Sequence, residues 1–321
     1  MGNGGIPAKL GNEVPLIENV RMTVASTLTR PMIGSWEETG ESQGRGTMVL
    51  DPVADGILRD HVYKDTPLMP AASILESFAE AIEFAGLGDG AIVVEDVQFL
   101  NGVRFFTPSP QTLHVHLAAA SDGWELKLTQ EFRNRHGALL DAARLCTKAA
   151  ARRKPSAFDD WGWLPPPSAD WRPVAYLEKV NNWMGPSLHG LQHVQLTESE
   201  GWAEIVAPDE SPWRPSSNAE WRFSPGVLDA ALVACSMWVQ EYRSGTLQLP
   251  MSIRRIWLGK NPSPGSRLRE SFHVQDITEN VAIYDVRVWD ERGQVILKLD
   301  DYQCSLVREP GVLTVRLADT L

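Results

Sequence analysis

The sequence repeats itself at an offset near 156 residues. Phe132-Arg133-Asn134-Arg135-His136-Gly137 reads as a strand end and a turn, and aligns with Val288-Trp289-Asp290-Glu291-Arg292-Gly293. An apolar, β-rich run follows each: Ala138 to Cys146, and Gln294 to Cys304. Upstream, Leu113-His114-Val115-His116-Leu117 alternates with period two, as a half-buried strand does. Arg269-Glu270-Ser271-Phe272-His273 lies at the same offset, and Val93 to Leu100 corresponds to Pro250 to Leu258 within a residue or two. A duplicated chain has to build two similar units, and any site it forms is shared between them or occurs twice.

Each half carries one helix ahead of these strands. Ile74, Leu75, Phe78, Ile82 and Ala85 recur at three- and four-residue steps and predict a helix over about 71–85, with Glu76, Glu80 and Glu83 on its polar side. Gly86 ends it. The second helix is expected over 225–243, with Ser224 as N-cap, Pro225 in the first position and Gly245 after the end. One long helix followed by antiparallel strands is the make-up of an α+β hotdog unit, a sheet wrapped round a helix. Two in tandem make a double hotdog: an N-terminal unit in 1–153, a Pro/Trp-rich linker in 154–172 and a C-terminal unit in 173–321, with superposable cores in 15–153 and 173–308. Pro155, Pro165, Pro166 and Pro167 stiffen the linker, and Trp161, Trp163 and Trp171 are expected to clamp it to the body.

Composition closes off several functions. At 321 residues the chain is long enough for two domains, and 43% hydrophobic residues supply a sizeable core. No apolar run approaches the ~20 residues of a membrane span, and the start Met-Gly-Asn-Gly-Gly-Ile-Pro reads as a linker, not a signal peptide. Cys146, Cys235 and Cys304 form neither a metal pattern nor a disulfide framework, which fits a reducing cytoplasm. A net charge of −11 argues against nucleic-acid binding, although Arg152-Arg153-Lys154 and Arg254-Arg255 are local basic clusters. His114 and His116 lack a third ligand for zinc, the glycines of 40–46 do not order into a phosphate loop, and there is no Gly-x-Ser-x-Gly elbow.

Two residues stand out chemically. His61 ends the polar stretch Leu58-Arg59-Asp60-His61 ahead of the first helix, and imidazole titrates near neutrality. Asp229 interrupts the apolar Val227-Leu228-Asp229-Ala230-Ala231-Leu232 near the start of the second helix. Burial there would raise its pKa and keep a proton available, while the helix N-terminus favours the anion. Read locally, a solvated loop histidine and a helix-start carboxylate explain both. The repeat sharpens the reading: Asp229 falls opposite Ser73 and His61 opposite Ser217, so each half supplies one reactive group that its twin lacks.

Four motifs resemble those of dehydratase domains of type I polyketide synthases and multienzyme fatty-acid synthases. His-x-x-x-Gly-x-x-x-x-Pro is met by His61 and Pro70, with Asp65 in the glycine place. Gly-Pro-x-Phe-Gln-Gly is met by Gly185-Pro186-Ser187-Leu188-His189-Gly190, with Leu188 and His189 replacing the aromatic and the glutamine. Leu-Leu-Asp-Ala-x-x-Gln is met by Val227 to Val233, with valine where the family often has a polar residue, and Leu-Pro by Leu249-Pro250. The resemblance implies a double hotdog acting without a cofactor on a substrate held by the phosphopantetheine of an acyl carrier protein. It implies His61 as base and Asp229 as acid. Pro70, Ala71, Gly185, Pro186, His189 and Val233 would line the substrate, and a backbone N–H near Ala71 or Ala72 would polarise the thioester carbonyl. Other domains of a larger synthase are the expected partners, the carrier approaching Arg254 or Arg255, and a homodimer stays open. The same pair would also serve a product-template cyclase, a double-bond isomerase or a dehydrating cyclase, and a non-catalytic docking domain would keep the fold alone.

Overall fold

A computed structural model describes residues 30–87, 92–134, 136–152, 171–177, 183–215, 217, 219–308 and 315–318. The first half runs β1 (Ser35–Gly40), β2 (Gln43–Leu50), α1 (Gly56–Arg59), β3 (His61–Tyr63), β4 (Thr66–Pro67) and α2 (Ala71–Phe84). It continues through β5 (Ile92–Phe99), β6 (Gln111–Ala120), β7 (Gly123–Arg133) and β8 (Leu139–Arg152). The second half runs β9 (Arg172–Tyr176), β10 (Trp183–Met184), β11 (Leu191–Leu196), β12 (Glu200–Val206) and α3 (Pro225–Tyr242). Then come β13 (Thr246–Leu258), β14 (Arg267–Ile277), β15 (Val281–Asp290), β16 (Val295–Arg308) and β17 (Val315–Leu317). All but Trp171 and Arg172 of the 154–172 linker, Trp161 and Trp163 included, lie outside the described residues.

Fourteen strands form one sheet, ordered β1-β2-β6-β7-β8-β5-β13-β16-β15-β14-β12-β11-β9-β17. Outward from the central β5–β13 pair the two halves read alike: the strand after the helix, then the last, third and second strands, then the strand before the helix. Within that pair Val97 lies opposite Ile253. These residues are 156 apart, the repeat offset itself, so the pseudo-twofold axis passes between them. The duplication extends to the turns. Asn134 and Asp290 each accept two backbone N–H bonds with a side-chain oxygen, from His136 and Ala138 and from Arg292 and Gln294. Gly137 and Gly293 follow with φ of 81° and 77°, where a Cβ would be strained. This is a double hotdog: α2 and α3 pack together, and one hydrophobic core runs through both halves. Among the described residues no helix is long and apolar enough to cross a membrane.

The helices form where the periodicity places them. Pro70 is the N-cap of α2; Ser224 caps α3 by accepting from the Val227 N–H at 3.1 Å, and Pro225 takes the first position. The polar side of α2 differs from expectation. Glu76 and Glu80 are fully buried, and only Glu83 meets a cation, Arg30, at 2.6 Å. Glu80 accepts the Met32 and Ile33 N–H groups at 3.0 and 2.7 Å, and Glu76 accepts those of Arg222 and Phe223 at 2.6 and 3.2 Å. These carboxylates satisfy backbone donors of irregular chain that crosses the helix, a long-range need invisible to a helical wheel.

Burial pushes Glu80 up to about 7, against the lowering effect of its backbone donors. Glu210, buried and bound by the Ser224 hydroxyl and the Gly226 N–H, also rises to about 7. A carboxyl whose pKa is higher in the folded state adds stability that is complete below its unfolded pKa and is lost as pH rises through the folded one. The urea midpoint should therefore fall as pH rises from about 5 to about 7. Glu80→Ala, which strands two backbone donors, should cost about 3 kcal/mol at low pH; an unchanged urea midpoint in that variant would contradict the assigned role.

Candidate active site

His61 is not in a loop. It opens β3, the middle strand of a small sheet ordered β10-β3-β4, and stands opposite Met184. The turn from β3 to β4 places Lys64 and Asp65 at φ of 49° and 56°, a left-handed pair of the kind hairpins use. The family's glycine suits that conformation, and aspartate is among the few other residues that tolerate it. Folding back brings the Leu68 carbonyl to 2.6 Å from His61 Nδ1. A carbonyl only accepts, so Nδ1 carries the ring proton and Nε2 keeps its lone pair.

Asp229 lies one turn into α3, 7% exposed. Burial raises its pKa, and nearby His61 pulls it partly back. Its Oδ2 is buried with no hydrogen-bond partner among the described residues. Burial of that oxygen without a donor disfavours the anion and so favours the protonated carboxyl.

Both side chains line one cavity of about 330 Å³ between the halves. Ala71 and Val233 line it too, as the sequence suggests. Pro70, Gly185, Pro186 and His189 are not among its lining residues. Pro70 instead starts α2, its carbonyl accepting from Ser73 and Ile74 at 3.1 and 3.3 Å. The Gly-Pro motif holds the residue beside the histidine: Gly185 N–H donates to the Asp60 carbonyl at 2.7 Å, and Ser187 N–H to the Asp60 carboxylate at 3.2 Å. A Cβ at Gly185 would meet Asp60 Cγ at 2.4 Å, so only glycine permits this approach. Pro186 opens a short 3₁₀ turn, and His189 bonds the Met184 carbonyl through Nε2 at 2.9 Å while stacking on Tyr176 at 3.8 Å. This motif anchors the strand that carries His61.

Sequence reasoning missed most of the remaining wall. Ser236 and Gln240 lie seven and eleven residues after Asp229 on its own helix face, so helical periodicity could have found them. Asn101, Arg104 and Tyr302 reach the cavity through tertiary packing alone. Arg254 and Arg255, the expected carrier-docking arginines, are both engaged by carboxylates. Arg254 pairs with Asp301 at 2.5 Å, and Arg255, largely buried, pairs with Asp300 at 3.2 Å. Arg152 is likewise held by Glu95 and Asp96.

Comparisons agree with this arrangement. The family model described as polyketide synthase dehydratase N-terminal domain matches residues 175–314, and that described as polyketide synthase dehydratase domain matches residues 31–131. The chain belongs to the polyketide synthase dehydratase family. Similar solved structures include the dehydratase domain from the CurF module of curacin polyketide synthase, with TM-score 0.71, 16% identity, and coverage of 86% of this chain and 99% of that one. The CurH-module dehydratase domain gives 0.70, 17%, 88% and 98%. A trans-acyltransferase polyketide synthase enoyl-isomerase gives 0.62, 13%, 80% and 98%. No curated protein sequence matches the chain.

Two measurements check the geometry. Imidazole ¹⁵N NMR should show the neutral His61 ring protonated at Nδ1. Gly185→Ala should shift that resonance and lower turnover at least about tenfold, since small misplacement of a reacting group is costly; an unmoved resonance would disprove the anchoring role.

Proposed function

We propose that the chain removes water from a β-hydroxyacyl thioester, carried on the phosphopantetheine arm of an acyl carrier protein, to give the α,β-enoyl thioester. One observation carries this reading: a histidine whose Nδ1 is held by a carbonyl and a carboxyl whose pKa is raised by burial line the same cavity. His61 Nε2 takes the α-proton, which the thioester carbonyl acidifies. The α-carbon electron pair forms the new double bond as the β-carbon–oxygen bond breaks. Asp229 delivers its proton to the departing hydroxyl, and water leaves. The resulting imidazolium and carboxylate regenerate the starting forms by proton transfer. Pairs of groups with divergent pKa values divide acid and base work in this way.

The two proton carriers account for the whole step, so the proposal includes no cofactor. A free N–H in the first turn of α2, at Ala71 on the cavity wall, suits the thioester carbonyl. Family membership supports neighbouring synthase domains as partners in the cytoplasm. An enoyl-isomerase with this fold makes double-bond migration the second reading, with the same pair moving a proton along an unsaturated chain.

Incubation with β-hydroxyacyl carrier-protein thioesters, read by intact mass, should show loss of one water. His61→Ala should abolish that loss while the protein stays folded. Asp229→Asn should lower the rate ~10²–10⁴-fold. Because the raised pKa of Asp229 subtracts stability as pH rises, the asparagine variant should be at least as resistant to urea as the parent at about pH 8. Normal turnover by either variant would refute the assigned pair.

A further inference from the structure

The cavity wall holds a further polar group besides His61 and Asp229. Gln248 on β13, 8% exposed, and Tyr302 on β16, 1% exposed, both line it. The Tyr284 hydroxyl donates to Gln248 Oε1 at 3.0 Å, which fixes the plane and the direction of the amide. Tyr284 is itself immobilised among Trp238, Phe272 and Tyr302, with ring centroids 5.9–6.3 Å apart. Nε2 is therefore the free end. The Tyr302 phenol lies alongside, but Nε2 makes no bond of good geometry to it or to any other described residue. A buried amide donor without a partner costs about 1–3 kcal/mol. A site wall is where such a cost is recovered, when a ligand supplies the acceptor.

We propose that Gln248 is a specificity residue that binds an oxygen substituent on the acyl chain beyond the β-carbon. This inference rests on the dehydratase reading, which places the α- and β-carbons at His61 and Asp229 and leaves Gln248 to face another part of the substrate. A chain built by two-carbon condensations carries its oxygens on alternate carbons, so the first oxygen beyond β sits on the δ-carbon. The preferred substrate class is then a β,δ-dihydroxyacyl or δ-oxo-β-hydroxyacyl thioester rather than a plain β-hydroxyacyl one. Hydrophobic pockets discriminate weakly between methylene and hydroxyl, whereas a site that must satisfy a buried donor rejects the analogue lacking the oxygen.

The test uses β,δ-dihydroxyacyl and β-hydroxyacyl pantetheine thioesters of equal chain length. Turnover is measured on the parent protein. Dissociation constants are measured in the His61→Ala background, where the thioesters are not consumed. The oxygenated thioester should be favoured about tenfold to a hundredfold in both readouts. Gln248→Leu should bring the ratio close to one, and Tyr284→Phe, which keeps the amide but frees its orientation, should lower it part of the way. Circular dichroism confirms that the variants fold. Equal dissociation constants for the two thioesters would overturn the proposal. So would a Gln248→Leu variant that weakens both thioesters alike, because the amide would then serve the pantetheine arm or the fold. Discrimination in binding without turnover of either thioester would instead remove the dehydratase reading and leave the acceptor site standing.

Discussion

The antiparallel pairing of β5 with β13 is the contact on which the site depends. It joins six strands of the first half and eight of the second into one sheet about an axis between Val97 and Ile253. The same axis brings α2 and α3 together, and at the repeat offset Asp229 corresponds to Ser73 and His61 to Ser217. Neither serine moves a proton near neutral pH. Each half thus contributes one titratable side chain that its counterpart lacks. His61 and Asp229, separated by 168 residues, share a cavity because the seam brings the two halves together, not because anything near either residue demands it.

The buried carboxyl groups show how environment assigns a role. Glu76, Glu80 and Glu210 each accept backbone N–H bonds, which offset part of the cost of burial. Asp229 has an oxygen without such a donor, and Glu270 has two. Burial raises both, and Glu270 is fully enclosed on β14 without reaching the cavity. Its proton has no substrate to go to. Desolvation by itself makes a reluctant acid; contact with a cavity and a neighbouring base makes one that can act.

The sequence exposes those features that repeat or are set by short-range geometry. The 156-residue offset, the strand alternation of β6 and the caps of α3 are local patterns, and the structure contains each of them. The reactive pair was legible for a related reason, since each member breaks the pattern of its twin. Long-range satisfaction was not legible. Glu76 and Glu80 sit at positions a helical wheel marks as solvent-facing, yet they bind chain segments that cross α2 from both halves. Gly185 and His189 read as substrate contacts because they share a motif with a site. They act through Asp60 and Met184, which carry and face the His61 strand.

Val233 brings these threads together. It follows Asp229 by one helical turn, lines the cavity and offers no hydrogen bond. A polar side chain there would give the carboxylate a donor, favour the anion and lower the pKa. Valine offers Asp229 no donor and Oδ2 stays unpaired, which favours the protonated form. The departure from the family's pattern therefore acts on Asp229 in the same direction as its burial. It also means that substrate orientation must come from elsewhere on the wall, and Gln248, held by Tyr284 on the facing sheet, is a buried donor already set in place to supply it.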